Sequence, residues 1–186
     1  MSDAEARDAI RRRFEVLCVP HSADLTRFVY WLCRDRSLAE DVVQETLLRA
    51  WRSLDSLREE GAVRGWLLTI ARRELARVLE RKKVALVALE CAAELSSADA
   101  AAGDDYDVHA MRRAIFELKL LYREPLLLQM LFGYSVEEIA GQLQLSVPAV
   151  LTRLYRARQL LHEWFGYPTG GSSVPREIFE HVPCGT

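Results

Sequence analysis

Apolar residues along this chain recur at steps of three and four, the period of a helix that buries one face. From Ala39 onward, in "AEDVVQETLLRAW" and just beyond, Ala39, Val42, Val43, Thr46, Leu47, Ala50 and Leu54 form one such stripe. Similar periods place helices at about 5–17, 22–34, 38–54 and 64–82, and again at about 108–121, 124–132, 136–143 and 147–164. No segment carries the strict alternation of a half-buried strand. The pattern therefore predicts an all-α protein.

The positions that the first stripe leaves over are unusual. Asp41, Gln44, Glu45, Leu48 and Arg52 stand at i, i+3, i+4, i+7 and i+11, so they share the outward face. Ser37, with Glu40 three residues on, reads as a capping box that starts the helix. The helix period gives no reason for an acid, an amide, an acid and a leucine to share one solvent-facing stripe.

The later part of the chain holds a second pattern, "SVEEIAGQLQLSVPAVLTRLYRARQLL". Ser135 and Glu138 form a capping box, and Ile139, Ala140 and Leu143 give a short helix its buried face. Gln144, Leu145 and Ser146 make a tight connection in which Gln144 stands where such a turn commonly holds glycine, so a positive φ there would be mildly strained. Ser146 caps the next helix, with Pro148 in its first turn. Val150, Leu154, Ala157 and Leu161 face inward, and Ala149, Thr152, Arg153 and Arg156 face outward. A short helix, a tight turn and a longer helix with small and basic outer residues is the pattern of a DNA-reading helix-turn-helix: arginine grips phosphates or guanine edges, and alanine and threonine allow close approach to bases.

Between these lies "VRGWLLTIARRELARVLERKK". Leu67, Ile70, Ala71, Leu75 and Val78 turn to a core, and Trp66, Arg73 and Arg77 fall on another side. Seven basic residues stand against two acids from Arg64 to Lys83. An aromatic ring among guanidinium groups can stack on an unpaired base while the charges hold phosphates.

Charge and composition divide the chain of 186 residues. The net charge of −2 conceals a stretch from Val84 to Val108 with six acids and no Lys or Arg, which from Ser96 on is small, polar and linker-like. After Gly166 the sequence is rich in Gly, Pro and Ser and reads as a flexible tail. The N-terminus lacks the apolar core of a signal peptide, and no apolar run reaches membrane-spanning length, so a cytoplasmic chain without membrane insertion is expected. Four scattered cysteines fit a reducing compartment. Cys18 and His21, with Cys33 nearby in sequence, lack a fourth ligand at metal-site spacing and read as structural. With no P-loop, dinucleotide fingerprint or serine elbow, neither a catalytic residue, a metal nor a cofactor is expected, and no enzyme.

In this order the three motifs resemble a bacterial RNA polymerase sigma factor of the extracytoplasmic-function type. "LAEDVVQETLLRAW" is similar to the polymerase-binding helix of sigma region 2, the Trp66 segment to the promoter-melting segment that follows it, and "LYREPLLLQMLFGYSVEEIAGQLQLSVPAVLTRLYRARQLL" to region 4. The resemblance implies a region 2-like domain at 1–85, an acidic linker at 86–108, a region 4-like domain at 109–165 and a tail at 166–186. It implies that Asp41, Gln44, Glu45 and Leu48 meet the clamp coiled coil of the β′ subunit, and that the second domain meets the β flap. The loop from Leu57 to Val63 is implied in capture of a flipped base of the minus-ten element. Arg64, Trp66, Arg72, Arg73 and Arg77 would lie along separating promoter DNA, and Ala149, Thr152, Arg153 and Arg156 would read the minus-thirty-five element. The tether would run toward the RNA channel of core RNA polymerase, and an anti-sigma factor is an implied further partner. The chain departs from the family pattern at Val63, Arg73, Arg77, Ala149 and Leu151, which bears on promoter sequence. The alternatives are a free-standing helix-turn-helix regulator and a helical decoy that binds a sigma inhibitor.

Overall fold

A computed structural model describes residues 3–88 and 106–165. Residues 89–105 of the linker expected at 86–108, and the tail from Gly166, lie outside the described residues. The chain divides into two compact units, Met1–Ser97 and Ala98–Thr186. All regular structure among the described residues is helical, and none of the described helices is long and apolar enough to cross a membrane.

The first unit contains α1 (Asp3–Leu17), α2 (Ser22–Cys33), α3 (Arg36–Arg52) and α4 (Val63–Ala88). Short 3-10 turns at Val19–His21, Leu54–Ser56 and Glu60–Ala62 join them. Helices α2, α3 and α4 pack on one another around fully buried Leu25, Phe28, Trp31, Leu54, Leu67 and Leu68. Each such side chain contributes about 1.5–3 kcal/mol of transfer free energy, which makes this trio the stable body of the unit. The expected α3 stripe is buried at Ala39, Val42, Val43, Thr46, Ala50 and Leu54. Thr46, the polar member, donates its hydroxyl to the Val42 carbonyl at 2.7 Å, so its burial leaves no unpaired donor.

The start of α3 differs from the expected capping box at Ser37. The cap is Asp35, in extended conformation, whose carboxylate accepts the Leu38 amide at 2.9 Å. Glu40, the expected partner of Ser37, pairs with Arg36 at 3.1 Å. An aspartate two residues upstream satisfies the first-turn amides and adds a charge favourable to the helix dipole, so it outcompetes the serine. In α4 the buried face is wider than the expected stripe: Leu68 and Glu74 are buried, while Ile70 and Val78 are half-buried. This helix packs against both α2 and α3, so two sides of it are covered.

The second unit contains α5 (Tyr106–Glu117), α6 (Leu120–Phe132), α7 (Val136–Leu143) and α8 (Val147–Phe165). Its core holds Ile115, Leu126, Leu127, Leu128 and Ile139 with the inner stripe of α8. The break between α5 and α6 comes earlier than expected, at Leu118 and Lys119, and Pro125 sits inside α6. Arg123 accounts for the shift. It is buried, and its Nη2 donates to the Leu118 carbonyl at 2.9 Å, closing the end of α5 from the next helix. Gly133 ends α6 in the left-handed conformation at φ 67°, where a glycine is free of Cβ strain.

Candidate functional site

The α3 stripe stands as the period requires. Asp41, Gln44 and Arg52 are exposed, Leu48 is 52 % exposed, and Glu45 is half-buried. Trp51, which the sequence reading passed over, adds apolar surface at the end of the helix, 40 % exposed and edge-on to Phe14 of α1 at a centroid distance of 5.2 Å. A bulky apolar residue one turn from Leu48, outside the buried stripe, was the available signal.

Beneath this stripe α3 and α4 leave a groove of about 320 Å³, lined in part by Asp41, Glu45, Arg49, Glu74, Arg77 and Arg81. Glu74 projects from α4 into it. Its Oε1 lies 2.8 Å from Arg49 Nε and 3.1 Å from Arg77 Nη1, and Arg49 Nε also stands 3.1 Å from Glu45 Oε1. The outward stripe of α3 and the basic side of α4 therefore meet in one chain of charges.

The five basic and aromatic positions expected along DNA do not form a single surface. At about 100° per residue, Trp66, Arg73 and Arg77 cluster on one side of α4, whereas Arg72 turns about 100° away from Arg73. Arg73 and Arg77 are exposed, and Trp66 and Arg72 are half-buried. Arg64 is exposed in the first turn of α4 and near His21, whose pKa is lowered by burial first and by the Arg64 charge second, against a smaller opposing pull from Asp24. The loop before α4 exposes Arg58 through Ala62 between buried Leu57 and Val63. Arg13 braces it from α1, with Nη2 donating to the Leu57 carbonyl at 3.4 Å and Nε 3.6 Å from Glu60.

Two cysteines of the first unit are described, and they are not bonded to one another. Cys18 is fully buried, and desolvation pushes its thiol pKa up, against a weaker lowering by Arg13. Cys33 Sγ donates to the Asp35 carbonyl at 3.2 Å.

In the second unit, the capping box of Ser135 and Glu138 is present in both directions, at 3.2 and 2.7 Å. Gln144 adopts φ 55° and ψ 46°, in the left-handed region where a residue with a Cβ is mildly strained, and Leu145 follows with its amide on the Ala140 carbonyl at 2.9 Å. The Ala149 amide meets the Ser146 hydroxyl at 3.4 Å, a long cap for α8. Helix α8 buries Val150, Leu154, Ala157 and Leu161. Thr152 and Arg156 are exposed as expected, while Ala149 and Arg153 are half-buried on the flank. The Thr152 hydroxyl donates to the Pro148 carbonyl at 2.8 Å.

Four large exposed side chains lie on this helix outside the expected set: Val147 at 36 %, Leu151 at 52 %, Tyr155 at 64 % and Trp164 at 56 %. Tyr155 is nearly opposite the buried stripe, and its hydroxyl accepts from Gln159 at 3.0 Å. The signal was in the same period: Tyr155 stands three residues beyond Thr152. Arg158 ties α8 to α6 through Gln129 at 2.6 Å.

Residues 18–84 match the family described as Sigma-70 region 2, and residues 109–168 match Sigma-70, region 4. The chain is 30 % identical over 163 residues to RNA polymerase sigma factor CarQ of Myxococcus xanthus, covering 86 % of this chain and 93 % of that one. It is 30 % identical over 167 residues to ECF RNA polymerase sigma factor SigL of Mycobacterium tuberculosis, covering 87 % and 92 %. Among solved structures it is similar to the sigma factor RpoE of Bartonella quintana in complex with the anti-sigma factor NepR. That match has a TM-score of 0.71 at 26 % identity, and covers 83 % of this chain and 98 % of the other.

Proposed function

We propose a division of labour among these surfaces from the premise that the chain belongs to the sigma-70 family of RNA polymerase sigma factors, in its extracytoplasmic-function type. It is a transcription initiation factor that binds core RNA polymerase and recognises promoter DNA. Sigma factors in general are not enzymes. For this chain our reading leaves catalysis to the polymerase and places the protein in the cytoplasm, with no metal or cofactor.

The observation that carries the finer assignment is the α3 stripe. Asp41, Gln44 and Leu48 project to solvent with Glu45 beside them, on a helix whose opposite face is closed by a core. Such a face gains little for folding, and its acids and leucine suit the basic helices of the β′ clamp. Trp66, Arg73 and Arg77 then meet unwinding minus-ten DNA, with Arg64 and Arg72 at its margins. The braced loop at 57–63 receives the flipped base. Thr152 and Arg156 enter the major groove of the minus-thirty-five element, with Ala149 and Arg153 alongside. The domain bounds at 1–85 and 109–165 with a tether between belong to the same reading, as do the β flap contact of the second domain and regulation by an anti-sigma factor. Run-off transcription with purified core polymerase tests it: specific transcripts that depend on added protein are expected. Duplex binding without polymerase, and no transcript with it, would favour a free-standing regulator.

A further inference from the structure

Helix α8 carries apolar side chains where folding has little use for them. Its core side is closed by Val150, Leu154, Ala157 and Leu161. Val147, Leu151 and Tyr155 stand outside that stripe at i, i+4 and i+8, and are 36 %, 52 % and 64 % exposed. At about 100° per residue, each lies about 40° further round the helix than the one before, so the three form a ridge that leans toward Thr152. Tyr155 comes within about 60° of Thr152, and Leu151 within about 100°. The Tyr155 hydroxyl accepts from Gln159 one turn on, which draws it back along the helix.

The charge around the ridge indicates what it meets. From Val147 to His162 the helix carries three arginines and no acid, a surround that draws a polyanion. The ridge is also continuous with the outward face of Thr152 and Arg156, which are exposed beside it. The N-terminal part of a recognition helix is the part that reaches base edges, and Leu151 is the fifth residue of α8. An aliphatic side chain has no donor or acceptor to offer there. Guanine, adenine and cytosine present polar atoms to the major groove, which lose water against a leucine and gain no hydrogen bond. Thymine presents a C5-methyl, the one apolar group on that edge.

We propose that Leu151, flanked by Tyr155, is a specificity-determining residue that packs on a thymine C5-methyl in the upstream promoter element. This rests on the reading of α8 as the helix that enters the major groove. Thr152 and Arg156 supply polar contacts on one side of the helix, and the ridge supplies a preference for thymine on the other.

Deoxyuridine differs from thymidine by that methyl alone, so it isolates the contact. Holoenzyme assembled from the full chain and core polymerase first selects its preferred upstream element from a random duplex pool. Each thymine of the selected element is then replaced by deoxyuridine, and binding is measured for wild type and Leu151→Ala. At one thymine, loss of the methyl is expected to weaken wild-type binding about fourfold, the worth of one buried methyl group. Leu151→Ala is expected to bind both duplexes equally at that position, with melting unchanged because the side chain is exposed. A selected element without thymine overturns the proposal, as does methyl removal that is silent at every thymine. A methyl effect that persists in full in Leu151→Ala overturns it too. Weakened binding of core polymerase by Leu151→Ala, with no methyl effect, would make the ridge a protein-docking surface instead. If Arg153→Ala with Arg156→Ala binds the selected promoter like wild type, the reading of α8 fails and this role falls with it. If that pair loses binding while deoxyuridine has no effect, the role of Leu151 alone fails.

Discussion

Arg13 on α1 donates to the carbonyl of Leu57, forty-four residues further along, at 3.4 Å, and the same guanidinium reaches Glu60 at 3.6 Å. Helix α1 buries little of its own surface, yet through this side chain and the Phe14–Trp51 ring contact it props the loop that precedes α4. The loop has few other tertiary holds, because Arg58 through Ala62 are exposed.

Arg13→Ala is expected to loosen the loop more than the fold. Exposed pairs of this kind contribute about 0–1 kcal/mol, so the melting temperature should barely move. Hydrogen exchange at the Ala62 amide, bonded to the Glu59 carbonyl at 3.1 Å, should speed up. Unchanged exchange across 58–62 would show that the loop holds itself.

Reversing Asp41 and Glu45 to Lys should abolish binding to core polymerase in a pull-down while the circular dichroism spectrum stays helical. Neither residue lies in the core, and the Glu45–Arg49 pair lost is an i, i+4 contact worth about 0.3–0.5 kcal/mol. Like charges facing one another across an interface cost several times that. Retention of polymerase by the double variant would remove the docking assignment.

Alanine at Arg153 and Arg156 together should weaken promoter binding by the holoenzyme. Removal of a base contact costs about 1–3 kcal/mol and relaxes sequence preference at one position. Loss of a phosphate contact weakens all sequences alike and lowers the salt slope by about one. Salt titrations of the two single variants assign each arginine, and unchanged binding by the double variant would mean that α8 presents another face.

Gln144→Gly should stabilise the second unit by roughly 0.5 kcal/mol. The left-handed conformation costs a residue with a Cβ about 1–2 kcal/mol, and glycine returns part of that gain as unfolded-state entropy. Chemical denaturation is the measurement, and a lower midpoint would mean that the Gln144 side chain holds the turn.

Acid should destabilise the first unit through His21. Its folded pKa lies below the ordinary value of 6.5, so the unfolded chain binds the proton more readily. The effect is absent well above 6.5, grows as pH falls through that value, and levels off below the lowered folded pKa. His21→Gln should flatten this part of the stability curve, and equal slopes for variant and wild type between pH 7 and 5.5 would rule it out.

The sequence by itself determined the helices, their inner faces and the helix-turn-helix. Each depends on residues three or four apart, or on a cap beside its helix: Val150 with Leu154, or Ser135 with Glu138. The outward stripe from Asp41 to Leu48 was legible for the same reason, as the complement of a buried one. Only the tertiary structure decided what lies between elements. Nothing in local spacing distinguishes Asp35 from Ser37 as the cap of α3, because the choice depends on the backbone conformation that the turn after α2 imposes. No period reveals that Arg123 closes α5, or that Arg13 reaches Leu57. Glu74 is the sharpest case. A charged residue in an apolar stripe reads as an interruption until α3 brings Arg49 to 2.8 Å, since opposite charges from separate helices meet only after the chain has folded.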